Sequence, residues 1–152
     1  MSLSLHAASS PQAFLFSAIM QTICGILLLV FMYVWFIPTL HLSVMYTVSF
    51  AVTSICLVLA AWIADVPGRK HLAHNTLIYI MGVLLILMNG YLIVFVGLSV
   101  LVKTVLVLTT SCMVVTVLLF SFVKWSKNNF LFLQLVFLVS YHLSILAATY
   151  LH

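Results

Sequence analysis

Residues 76–123, TLIYIMGVLLILMNGYLIVFVGLSVLVKTVLVLTTSCMVVTVLLFSFV, run for 48 positions with a single charged side chain, Lys103. As one α-helix this stretch would measure about 72 Å, more than twice the ~30 Å hydrocarbon thickness of a bilayer. It must therefore fold back on itself. Gly97, Leu98 and Ser99 offer the turn, which predicts two apolar helices over 76–96 and 100–123.

Working outward, the same pattern repeats. Residues 13–37 form an apolar run closed by Pro38, and a short linker through His41 leads to a second run over 42–63. The segment 64–75, ADVPGRKHLAHN, gathers Pro, Gly, two adjacent cations, the only acid and two histidines, and reads as a loop. A second polar loop, KWSKNN at 124–129, precedes a last run over 130–151. The expectation is an all-α, five-helix transmembrane bundle forming a single domain over 1–152.

Composition argues the same way. Charged residues make up 4% of the chain, against about 25% in ordinary soluble domains, and mean hydropathy is +1.40. Six formally charged side chains cannot make a water-soluble surface. Residues 1–12 lack the basic start of a secretory signal, so the first apolar run reads as a retained span. The basic residues Arg69, Lys70, Lys124 and Lys127 fall in the two polar loops, which the positive-inside rule places in the cytoplasm. That gives an N-in, C-out orientation. Trp35, Trp62 and Trp125 stand near span ends, where interfacial indoles belong. The scattered cations form no tract suited to nucleic acid. Cys24, Cys56 and Cys112 lie within apolar runs and are expected to pack as small buried hydrophobes.

Chemistry in such a chain rests on polar residues within the spans, because lipid offers them no partner. Asn89 and His142 come at similar depth, roughly 18–20 Å from the cytoplasmic end of their spans. Thr110, Ser111 and Thr53 fall near the same level, and Tyr141 adjoins His142. Two readings of this layer stand. It is a midplane site for a polar headgroup or small amphiphile, centred on His142 and Asn89, or it is hydrogen-bonded glue between helices. Asp65, Arg69, Lys70, His71 and His74 form a second cluster, at the cytoplasmic face. Asp65 with His71 and His74 offers nitrogen and oxygen donors of the kind a divalent metal takes. Haem needs two axial ligands at matching depth, and His142 is the only deep histidine.

Conventional catalysis lacks its parts: there is no Glu, one Asp, no nucleophile elbow and no phosphate-binding loop. No catalytic residue and no cofactor is therefore assigned. The leading expectation is a protein that acts by binding, with membrane lipid, a small amphiphile, a partner membrane subunit or a second copy of itself as the bound species. The alternatives are a membrane-embedded enzyme or redox protein acting on a lipid or quinone, with metal or haem as its cofactor, and a transporter or channel component.

Overall fold

The computed structural model describes residues 10–63, 69–122 and 130–151. Asp65, the 124–129 loop and His152 lie outside the described residues. All regular structure among the described residues is helical, in five helices each long and apolar enough to cross a membrane. They are α1 (Pro11–Thr39), α2 (Val44–Trp62), α3 (Arg69–Phe95), α4 (Val100–Phe122) and α5 (Phe130–Tyr150). The long central run breaks where the sequence suggests: α3 ends at Phe95, α4 begins at Val100, and Ser99 Oγ accepts the Val102 N–H as an N-cap.

Two local expectations are corrected. Residues 69–75, read from their polarity as loop, are the first two turns of α3. Polarity marked where the apolar run ends, and the helix extends past that point into polar residues. Pro38 does not end α1 either. The helix widens to a π-turn over Met32–Phe36, with the Ile37 N–H bonded to the Met32 carbonyl. This accommodates a ring that cannot donate and that would clash with a normal turn before it. The helix then stops at Thr39, and His41 takes a left-handed φ of 50°. The Leu42 N–H reaches back to the Ile37 carbonyl and the His41 N–H to that of Pro38, a Schellman closure with histidine where glycine is usual.

The chain divides into two compact units, Ser2–Leu84 and Leu85–His152, and α3 runs through the division. In the first, α1 and α2 form an antiparallel hairpin. Ala18, Gly25, Met32 and Phe36 make the buried stripe of α1; Tyr46, Phe50, Thr53, Cys56 and Ala60 are buried on α2. Gly25 sits against Leu57 and Val58, whose side chains would stand 3.6 and 3.7 Å from an added Cβ. Trp62 Nε1 donates to Thr22 Oγ1 (3.0 Å) near one end of the hairpin, and Tyr33 Oη donates to the Thr47 carbonyl (3.2 Å) near the other.

In the second unit α4 and α5 pack along most of their length. The buried residues of α4 are Val102, Leu106, Thr109, Met113 and Thr116, alternately four and three apart. That spacing keeps one seam facing a neighbouring helix over four turns. On α5, Leu133, Phe137, Ser140, Tyr141, Ser144 and Ala148 are buried, and on α3 Leu85, Met88, Asn89 and Leu92. Of the three cysteines only Cys56 is buried; Cys24 and Cys112 lie on exposed faces, contrary to the expectation of packed thiols.

The left-handed residue gives a direct test. His41→Gly should stabilise the α1–α2 hairpin by about 1 kcal/mol, because glycine adopts that conformation without a Cβ clash. His41→Val should destabilise it, and thermal unfolding in mild detergent reads both.

Candidate functional site

Asn89 of α3 is fully buried and joins the three helices of the second unit at one level. Its Nδ2 donates to Ser144 Oγ on α5 (2.9 Å) and lies 3.5 Å from Met113 Sδ on α4. Ser144 Oγ in turn stands 2.6 Å from Thr109 Oγ1 on α4. Each hydroxyl also faces a carbonyl of its own helix: Ser144 that of Ser140 (3.0 Å), Thr109 those of Val105 (2.8 Å) and Leu106 (3.1 Å).

Proton counting limits this network. Ser144 and Thr109 have one hydroxyl proton each, yet they face carbonyls on both helices and also each other. Those contacts cannot all be hydrogen bonds at once, so at least one of them is a close approach without a proton. The Asn89 amide is one-sided as well, for its buried Oδ1 has no partner. Exchanging the oxygen and nitrogen of the amide would only move the orphan to the other atom.

The residues expected to form a single layer separate here. Asn89 is in the cluster. Thr110 and Ser111, the two residues after Thr109, point elsewhere, since each step along an α-helix turns by about 100°. They line a shallow groove of about 310 Å³ with Ile93 of α3 and Val107, Val114 and Val115 of α4. Ser111 Oγ donates to the Val107 carbonyl (2.8 Å), whereas the buried Thr110 hydroxyl has no partner. Tyr141 is buried with its hydroxyl unpartnered. His142, the expected centre of the layer, is exposed on α5, and its Nδ1 donates to the Leu138 carbonyl of its own helix (2.7 Å). Thr53 belongs to the first unit, where it donates to the Ser49 carbonyl (2.9 Å).

Ser144, Thr109 and Met113 were not singled out from the sequence. The 102, 106, 109, 113, 116 spacing on α4 and the Ser140–Ser144 pair on α5 were the signals available.

The second expected cluster also divides. His74 is buried, with Nδ1 3.0 Å from the carbonyl oxygens of both Ala60 and Ile63. Carbonyls only accept, so Nδ1 carries the proton and His74 closes the end of α2. His71 is exposed, with Nε2 3.0 Å from Asn75 Nδ2. Arg69 and Lys70 are exposed at the start of α3. Among the described residues no three His, Cys, Asp or Glu side chains gather as a metal site would require, and Asp65 is not among those residues.

The network predicts strong coupling between Asn89 and Ser144. Ser144→Ala should cost about 1–3 kcal/mol, because it strands a buried amide. Asn89→Leu combined with Ser144→Ala should cost less than the two single losses together. His142→Ala, outside the network, should stay within about 0.5 kcal/mol of the parent. Unfolding in detergent measures all four proteins, and simple additivity would refute the coupling. No protein-family model, curated protein or solved structure matches the chain, and the functional reading rests on these residues themselves.

Proposed function

We propose that this chain is an integral, multi-pass membrane protein that acts by binding a small amphiphile in the groove between α3 and α4. In this reading α1 to α5 span the bilayer as one domain, with the N-terminus and the polar segments 64–75 and 124–129 in the cytoplasm and the C-terminus outside. Membrane residence is supported by the large apolar side chains that every helix leaves exposed, among them Phe16, Val44, Leu72, Val100 and Phe132. It is supported too by the way exposed hydroxyls satisfy themselves. Thr76, Thr104 and Ser111 each donate to the carbonyl four residues earlier, as a hydroxyl deprived of water must.

One observation carries the binding reading. On α4 the hydroxyls of Thr104, Thr109, Ser111, Thr116 and Ser121 all reach a carbonyl four residues back, and Thr110 does not. The exception lies in the wall of an apolar groove whose volume falls at the lower end of small-molecule sites. An aliphatic chain carrying a hydroxyl, carbonyl or amine matches that combination: the chain fills the groove and the polar group meets Thr110. Asn89 lies one turn before Ile93 on α3, so the buried polar cluster holds the groove's α3 wall against α4.

Native mass spectrometry of protein released in mild detergent tests this. The parent should carry a stoichiometric amphiphile. Thr110→Val, which keeps shape and removes the hydroxyl, should weaken retention about tenfold, the worth of one buried hydrogen bond of about 1.4 kcal/mol. Val114→Trp should abolish retention by filling the groove. A bare parent chain, or one associated only with other polypeptides, replaces amphiphile binding with assembly as the function. The orientation has its own check: a reporter active only outside the cytoplasm should be active when fused after His152 and silent when fused before Met1.

A further inference from the structure

The first unit contains an open cleft of about 370 Å³ where the end of α2 meets the start of α3. Phe14 of α1, Trp62 and Ile63 at the end of α2, and Ala73 of α3 line one part of it; Arg69 and Lys70 line the other. The cleft is therefore amphipathic, with apolar and aromatic side chains beside two adjacent cations. Its walls are held from within. His74 bridges the Ala60 and Ile63 carbonyls, which pins the first turns of α3 to the end of α2, and Trp62 is tied to Thr22. Both cations are exposed, and no carboxylate stands among the described residues to neutralise them.

We infer that this cleft binds the headgroup of an anionic phospholipid, with Arg69 and Lys70 on the phosphate and the Phe14, Trp62, Ile63 and Ala73 side against the first carbons of the acyl chains. Arg presents a planar fork matched to phosphate oxygens, and Lys adds a compact charge. An indole at the apolar–polar boundary suits the glycerol level of a lipid. A free phosphate would satisfy the cations and leave the apolar side unmatched, which selects a lipid as the occupant. The inference rests on the membrane reading above and is independent of the α3–α4 groove. It makes the cytoplasmic end of α2 and α3 a lipid-selective surface, facing the leaflet in which anionic lipids concentrate.

The experiment uses the full chain in mild detergent with phosphatidylglycerol and phosphatidylcholine of matched acyl chains, and reads retained lipid by native mass spectrometry. The parent should favour phosphatidylglycerol by about 30-fold, the ratio that two cations near an anionic headgroup provide. Arg69→Gln with Lys70→Gln, both exposed positions, should bring the ratio close to one. Ala73→Trp leaves the charges and fills the cleft, and should also remove the preference. Thr110→Val should keep it.

A parent without preference overturns the inference. So does an Ala73→Trp protein that retains the preference with an unchanged circular dichroism spectrum, for then surface charge alone attracts lipid. Displacement of the lipid by millimolar inorganic phosphate would make the occupant a free anion and would overturn it as well. Release of the chain from membranes by alkaline carbonate would instead defeat the membrane reading itself. A chain that stays in the membrane yet shows no preference removes only the cleft.

Discussion

A polar side chain on a helix that is apolar all round has only two partners available, its own backbone or a neighbouring helix. That constraint organises this molecule. Most hydroxyls take the first course and bond to the carbonyl four residues back, as Thr22, Thr47, Thr53, Ser54 and Thr116 do. Few take the second, and those few mark where the helices are joined: Trp62 to Thr22, Tyr33 to Thr47, His74 to the Ala60 and Ile63 carbonyls, and Asn89 to Ser144, which pairs in turn with Thr109. A cross-helix hydrogen bond in such surroundings is worth about 0.6–2 kcal/mol, so none alone holds a unit together. Their effect is to fix register in packing that is otherwise apolar and permissive.

The two units meet this requirement differently. In the first, small residues on facing stripes bring α1 and α2 together, and the polar contacts lie toward the ends of the hairpin. In the second, the polar contact is central and apolar residues extend to either side along the α4–α5 seam. The network there carries more acceptors than hydroxyl protons. Histidine serves the same constraint in both units. His74 gives its proton to the Ala60 and Ile63 carbonyls at the end of α2, and His142 gives its proton to its own helix.

Function is proposed where the constraint is not met. In the second unit Asn89 Oδ1 and the Thr110, Tyr141 and Thr149 hydroxyls are buried without partners. Of these, Thr110 adjoins space that a ligand could occupy. The cleft of the first unit presents the complementary case, two adjacent cations beside apolar surface. Both sites call for molecules that combine a tail with a polar head, and they call for different heads: a hydrogen-bonding group at Thr110 and an anion at Arg69 and Lys70.

Helix number and approximate position were legible in the amino-acid order, because the length of an apolar run and the polarity of its ends are one-dimensional quantities. The run of 48 residues from 76 to 123 had to break, and Gly97, Leu98 and Ser99 offered a turn that divides it into two helices of spanning length. The rotation of each helix about its axis was not legible. On a soluble helix a polar face announces which residues point outward; here every face is apolar, so Thr109, Thr110 and Ser111 look alike and only packing decides that Thr109 meets Ser144. The same rotation turns Tyr141 inward and His142 outward. Polarity also misplaced the start of α3, since a helix can continue through polar residues. Sequence by itself determined how many long apolar helices form and their approximate positions; tertiary structure alone decided which side chains meet, because apolar packing is nearly indifferent to rotation until a few polar contacts select one.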